Sequence, residues 1–411
     1  MVTRDLDAPG HKPPLSPVSQ QQVPGEIWIM VAAAFAVAVG FGLIAPVMPH
    51  FAASFNVSVT QVTIIITSFA AFRVLFAPAA GMLVNRFRER WIYITGLIIV
   101  AISTLLIATA DSYWLLLAYR SFGGIGSVMF TVSAAGLIVR LSPPDLRGRV
   151  SSYYGGAFVV GNVIGPLIGG ILAEIAMWVP FVVYGVALLI AAAVVAIFLS
   201  ASRLRSYPVD DKLPPLRIGD TLRDSAYRAV IGSGFANGWI VFGIRIAVLP
   251  LFASTIVAGE WVAGLVLSVF AFGNASILLF AGRLTDRVGR RLPIMVGNIV
   301  LGSAFIAIGF STNLVMLISC AALAGMGAAT ANPAAQAVLA DIIGPKRAGG
   351  KVIATYMQLV DIGAVIGPVI TGLLVDTVGY QWGFLLSGSL AVLAGVHWIT
   401  GRETAPFLTQ R

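Results

Sequence analysis

The chain has 411 residues, of which 58% are hydrophobic and only 10% charged, against roughly 45–50% and about 25% in ordinary soluble domains. That composition excludes a soluble globular protein and points to one embedded in a membrane. The formal net charge of +9 reflects topology and attraction to anionic lipid headgroups, and it is not a nucleic-acid footprint.

Residues 1–25 are rich in Pro and Gln, bury no core and are expected to form a disordered tail. They lack the short apolar region and cleavage site of a secretory signal. Apolar runs on the order of 20 residues, long enough to cross a bilayer, then recur at 27–55, 58–84, 91–110, 113–140, 150–174, 177–201, 226–256, 261–282, 292–310, 313–341, 352–375 and 380–401. They predict an all-α polytopic protein of twelve transmembrane helices. The expected division is a tail (1–25), an N-terminal six-helix bundle (26–201), a linker with Pro208, Pro214 and Pro215 (202–224), a C-terminal six-helix bundle (225–402) and a second tail (403–411).

Between the eighth and ninth runs lies a charged island, Gly282-Arg283-Leu284-Thr285-Asp286-Arg287-Val288-Gly289-Arg290-Arg291. It has an echo 201 positions upstream, where Gly81, Leu83, Arg86 and Arg90 stand at the places of Gly282, Leu284, Arg287 and Arg291. The same offset carries Phe41, Gly42, Pro49 and Phe51 onto Phe242, Gly243, Pro250 and Phe252, and Gly124 and Gly126 onto Gly325 and Gly327. After one inserted residue, Gly165-Pro166 falls on Gly367-Pro368. Parallel repetition of two sets of apolar spans is the pattern of a transporter whose substrate sits near the midplane, where the halves meet.

The island resembles the G-x-L-x-D-R-x-G-R-[KR] loop motif of the major facilitator superfamily. Tyr119-Arg120-Ser121-Phe122-Gly123-Gly124-Ile125-Gly126 resembles that family's fourth-span arginine motif. The stretch from Gly161 through Gly165, Pro166 and Gly169 to Gly170 resembles the fifth-span motif of its drug:proton antiporter branch. The resemblance implies two pseudo-symmetric bundles that work by alternating access, with Gly81, Arg86, Arg90, Gly161, Gly165, Pro166, Gly169, Gly282, Asp286, Arg287, Gly289 and Arg290 in conformational motifs. The first copy departs from the pattern at Asn85, where Asp is usual, and at Arg88, where Gly is usual. The first span also lacks the carboxylate that many proton-coupled exporters of the family carry there.

Orientation follows from the basic residues. Arg73, Arg120 and Arg245 lie inside spans, and the remaining 23 of the 26 Lys and Arg fall in the tails, the linker and the loops after even-numbered spans. The opposite side carries only Asp111, Glu174, Glu260 and Asp376. Both termini are therefore expected in the cytoplasm, and the protein in the plasma membrane, a bacterial inner membrane. His50 at the outer end of the first span reads as an amphipathic interfacial anchor, and Cys320 as a buried thiol with no disulfide partner.

Charges inside spans are costly unless they face a partner, a cavity or a substrate. Arg73, about 12 Å from the cytoplasmic end at helical rise, Arg120 and Arg245 are the candidate substrate contacts. Asp361, about 15 Å in, is the expected counter-ion of Arg73, since the resemblance places the second and eleventh spans side by side. Phe41, Tyr153, Tyr154, Asn237, Trp239, Asn332 and Gln358 are candidate cavity-lining residues.

No Gly-x-x-x-x-Gly-Lys-[ST] loop occurs, so ATP is not the direct driver, and neither His-Glu-x-x-His nor Gly-x-Ser-x-Gly is present. An enzyme is therefore not expected, and neither a cofactor nor a metal is implied. The leading reading is a monomeric secondary transporter exporting drug-like or anionic amphiphilic small molecules, with protons and membrane lipids as its other partners. The alternatives are an importer or uniporter of a small anionic solute, or a sensor that binds without transporting.

Overall fold

The computed structural model describes residues 25–87, 89–142, 146–199, 218–344 and 350–405. The expected N-terminal tail up to residue 24, Arg88, and most of the expected linker with Lys212 and Arg217 lie outside the described residues. Every described element is a helix. This is the solution that apolar runs in lipid require, because each backbone N–H and C=O must be satisfied within the segment itself.

The first six spans are Gly25–Ala53, Val59–Arg86, Glu89–Ile107, Tyr113–Leu141, Arg147–Ile175 and Val179–Phe198. A short helix, Ile218–Thr221, precedes the seventh span, which starts with Ser225–Asn237. The eighth to twelfth are Glu260–Val288, Arg291–Gly309, Leu314–Ile343, Gly350–Val378 and Tyr380–His397. Eleven are long and apolar enough to cross a membrane. The twelfth, of 18 residues, is diluted by Gln381, Ser387, Ser389 and His397. It is nonetheless built into the protein, with Gly302 and Gly388 bringing the ninth and twelfth backbones into close approach.

Local chemistry explains the ends. Ser58 caps the second span by accepting from Gln61 N at 3.3 Å, while its own N–H donates to Gln61 Oε1 at 2.9 Å, a reciprocal capping box. Asn313 accepts from Met316 N at 2.9 Å to start the tenth span. The charged islands begin as helix and not as loop: the second span runs on to Arg86 and the eighth to Val288. Gly289, at φ 101°, then turns the chain where a side chain would be strained.

The seventh span is interrupted by a π-helical stretch, Gly238–Ile244, immediately before Arg245. The extra residue per turn re-aims the side chains that follow. Gly238 lies against the backbone of Val360, and Gly243 against Pro368. A Cβ at Gly243 would come 2.9 Å from Pro368 Cδ, and one at the repeat-equivalent Gly42 2.9 Å from Pro166 Cδ. The first–fifth and seventh–eleventh crossings are thus the same joint used twice.

The ends of the spans define two faces. The termini face carries Gly25, Glu89, Arg290 and Trp398; the far face carries His50, Ser58, Tyr113, Glu174, Glu260 and Asp376. Among the described residues, every hydrogen bond or ion pair joining the first six spans to the last six lies at the far face.

Candidate functional site

A cavity of about 760 Å³ lies between the two sets of spans, lined from both. Its wall reaches Ile138 and Ser151, about one helical turn from the termini-face ends of the fourth and fifth spans. The cavity is therefore closed at the far face and extends toward the termini face. Phe41, Phe69, Phe130, Tyr154, Phe158, Tyr184, Phe242 and Phe270 supply aromatic surface, and Ser127, Thr131, Asn162, Asn274 and Asn332 supply hydrogen-bonding groups.

Two guanidinium groups enter the wall itself. Arg73 donates from Nη1 to Ser127 Oγ at 3.2 Å. Arg245 donates from Nε to Val241 O at 2.9 Å and sits 4.8 Å from the Phe270 ring centroid. Arg120 stands just outside the wall, 4.2 Å from the centroid of Phe69, a wall residue. It is only 7% exposed, and its Nε has no hydrogen-bond partner. Phe69 and Phe270 are equivalent by the 201-residue repeat, although the two arginines above them come from the fourth and seventh spans and are not themselves equivalent. Each ring face offers a desolvated cation about 2 kcal/mol. That is far less than the cost of a guanidinium without a full set of acceptors.

No Asp or Glu occurs among the described residues lining the cavity. The space is thus an aromatic chamber with fixed positive charge and unspent donors. Its chemistry suits a ligand that brings an anionic group and an apolar body.

The remaining sequence-derived candidates divide. Phe41, Tyr154 and Asn332 line the chamber. Asn237 stands behind it, donating from Nδ2 to Asn332 Oδ1 at 2.9 Å. Trp239 is a correction: it is 6% exposed and faces the twelfth span, donating from Nε1 to Ser387 Oγ at 3.1 Å. Tyr153 is another. It stacks on Trp28 at 5.0 Å and accepts from Arg149 Nε at 2.7 Å, lining a shallow groove between the first and fifth spans. Gln358 and Asp361 are exposed side chains of the eleventh span outside the chamber wall. Arg73 and Asp361 are near enough for their charges to interact, but no ion pair joins them in this conformation.

The motif residues are placed as follows. Gly161, Gly165 and Gly169 press against Ala38, Val39 and Leu43 of the first span, and Pro166 lies in that joint. Gly81 and Gly282 have open space where a Cβ would point. Arg86 lies over Phe87 at 5.4 Å, and Arg287 is exposed. Asp286, with its side chain 77% exposed, is 3.9 Å from Arg290, which binds Asp341 Oδ2 at 3.1 Å and Thr285 O at 2.9 Å. Arg90 donates to Ala196 O of the sixth span. His50 corrects its reading as an interfacial anchor, since its Nδ1 lies 2.9 Å from Glu260 Oε2 on the eighth span.

Sequence reasoning missed Phe69, Phe130, Phe270 and Asn274. The repeat offset could have found two pairs of wall residues, because it takes Phe69 to Phe270 and Arg73 to Asn274.

Comparison with known proteins places these features in a family. The model of the Major Facilitator Superfamily matches residues 30–260 and 230–407, which together span nearly the whole chain. The chain is 26% identical over 375 residues to the tetracycline resistance protein, class H, of Pasteurella multocida, covering 89% of this chain and 90% of that protein. It is 26% identical over 343 residues to the synaptic vesicular amine transporter of Homo sapiens, covering 81% of this chain and 65% of that transporter's length. Its fold is similar to that of a bacterial homolog of the human lysosomal transporter Spinster in an inward-facing, unoccupied conformation, with TM-score 0.77, 18% identity, and coverage of 95% of this chain and 99% of that one.

Proposed function

Because the chain belongs to the major facilitator superfamily, we propose that it is a proton-coupled secondary transporter that exports anionic amphiphilic small molecules by alternating access. The observation that carries this reading is the chamber: aromatic walls, Arg73 and Arg245 within them, Arg120 against Phe69, and no carboxylate among the described wall residues. A guanidinium in a low-dielectric wall with donors to spare, as Arg73 and Arg245 have, gains most when a ligand's carboxylate, sulfonate or phosphate completes its hydrogen bonds. The two relatives are named for tetracycline resistance and amine transport. The fixed positive charge of this chamber favours an anion over an amine.

Basic residues at the termini face assign that face to the cytoplasm, so the chamber loads from inside the cell, as export requires. The plasma membrane of a bacterium is the setting we assign, with the monomer as the working unit. Asp361, within Coulombic reach of Arg73 but free of an ion pair, is assigned the coupling proton.

The test is flux in proteoliposomes holding the purified protein, with a fluorescent naphthalene sulfonate and its amine-bearing analogue as probes. Sulfonate movement driven by an imposed pH gradient and abolished by an uncoupler supports the proposal, and an Asp361→Asn variant should bind the probe but lose the pH drive. Sulfonate movement indifferent to the gradient leaves a uniporter. Exclusive movement of the amine overturns the substrate assignment.

A further inference from the structure

At the far face, two carboxylates hold the halves together in the same way. Glu174, one residue before the end of the fifth span, accepts from the backbone N–H groups of Glu260 and Trp261 at 2.7 and 3.3 Å. Those are the first two residues of the eighth span. Asp376, near the end of the eleventh span, accepts from Val59 N at 2.9 Å, Thr60 N at 2.9 Å and Thr60 Oγ1 at 2.6 Å. Val59 and Thr60 are the first two residues of the second span.

The two arrangements are related by the internal repeat. Val59 and Thr60 map onto Glu260 and Trp261 at the offset of 201, and Glu174 maps onto Asp376 after the single inserted residue. Each half therefore contributes one carboxylate and one helix start whose first two amides take their acceptor from the other half. A sequence duplication that had lost its use would not be expected to keep an acid here: Glu and Asp differ in length, yet both reach the equivalent amides.

The chemistry is specific. The first N–H groups of a helix have no partner within it, and the helix dipole favours a negative charge at that end. The acid supplies those amides with a charged acceptor across the seam and so favours the closed far face. Drawing the halves apart there exchanges these charge-assisted bonds for water. Glu260 carries a third tie through its side chain, 2.9 Å from His50 Nδ1. This one has no counterpart, because the offset places Leu251 opposite His50.

We infer that Glu174 and Asp376 are a symmetric pair of latches that hold the far face shut in the conformation whose chamber extends to the termini face, and that both must release for the chamber to open to the other side. They are positioning residues: neither touches the chamber, and they act by setting the ratio of the two access states. The inference rests on the alternating-access reading above.

The experiment reads that ratio directly. Asp111 and Thr312 are exposed far-face loop residues of opposite halves, equivalent by the repeat. Cysteines there, on a Cys320→Ala background of the full chain in nanodiscs, carry spin labels for pulsed dipolar distance measurement. The parent should show mainly the short, closed-face distance. Glu174→Gln and Asp376→Asn should each move the closed-to-open ratio on the order of threefold to tenfold toward the long distance, and the double variant further. Glu174→Asp and Asp376→Glu, which keep the charge and borrow the other half's side chain, should recover most of the closed population.

If neutral variants keep the parent distribution while transported ligand still shifts it, the latch is overturned and alternating access stands. If neither variants nor ligands ever move the distance, alternating access itself falls. Should Glu174→Gln fail to fold, Asp376→Asn tests the equivalent latch; failure of both to fold would also overturn the proposal, which requires halves that fold without them.

Discussion

The segments after the second and eighth spans descend from one pattern and have come to differ. In both, the last arginine of the motif ties off its own half: Arg90 donates to Ala196 O at the end of the sixth span, and Arg291 donates to Ile399 O just past the twelfth at 2.7 Å. Beyond that the copies part. In the second, Arg290 joins Asp341 and Thr285, and Glu403 accepts from the first amides of the ninth span, Arg290 N at 2.9 Å and Arg291 N at 3.0 Å. In the first, the residue equivalent to Arg290 is Glu89, of opposite charge and buried near Gly136. The repeat has kept the joints that both halves share, and it has let charge diverge at Arg290 and its equivalent Glu89.

If shared joints are architectural, equivalent changes in them should do equal and large damage. Gly42→Leu and Gly243→Leu each drive a side chain into the opposing Pro166 or Pro368. Overpacking of this kind costs about 1–3 kcal/mol when neighbours can yield and more when backbone must move. Both variants should lose monodisperse protein on size-exclusion chromatography, whereas Gly282→Ala, with open space around it, should elute as the parent does. Loss in only one of the two leucine variants would break the equivalence.

The arginines above Phe69 and Phe270 sharpen the comparison on the functional side. Arg120→Ala and Arg245→Ala should each lower kcat/KM for an anionic substrate on the order of 100-fold, the scale of a lost charge-assisted contact, with normal insertion and yield. Arg120→Lys keeps a cation over the ring but not the planar fork, and should fall between, roughly tenfold down. Equal kinetics in wild type and both alanine variants would reduce the two residues to supports.

The divergent network should register in stability. Arg290→Ala leaves Asp341 with Thr404 Oγ1 as its partner and should cost about 2 kcal/mol, visible as a lower Tm in detergent. Arg90→Ala should cost about 1 kcal/mol. Similar Tm losses would mean that the two motif copies still do the same work.

The smallest effect concerns acid. Asp224 and Glu403, both beyond the ends of the spans, feel burial that pushes their carboxyls up. The Arg402 hydrogen bond for Asp224, and backbone amides led by Arg290 N for Glu403, outweigh burial and hold both below the usual range. A depressed folded-state value means that the unfolded chain binds more protons, so this stability is present above the ordinary carboxylate pKa, about 4, and is lost as pH falls through the folded values. Glu403→Gln should flatten the acid limb of a Tm-against-pH curve and leave the neutral plateau nearly in place.

The fold was legible because two signals agreed. Runs of apolar residues at bilayer length and a constant offset between halves left few arrangements open. The charges of the chamber wall, Arg73 and Arg245, are conspicuous in apolar spans, as is Arg120 just outside it. The chamber was less legible in its aromatics. A helix that is apolar all round does not announce which face is inward, so Trp239 and Tyr153 were expected in the chamber and point elsewhere, while Phe69 and Phe270 passed unnoticed among 23 phenylalanines. The π-helical stretch before Arg245 leaves no mark in composition at all. His50 was read alone, and its meaning depends on Glu260, 210 residues away.

The central claim is that fixed positive charge in the chamber selects an anionic ligand. It is tested most directly by equilibrium binding of a matched pair, one ring system bearing a carboxylate and the same system bearing an amine, to purified wild type and to Arg245→Glu. The account predicts that wild type binds the carboxylate at least about tenfold more tightly, a difference of roughly 1.4 kcal/mol, and that the charge reversal inverts the order. Tighter binding of the amine by wild type would contradict it.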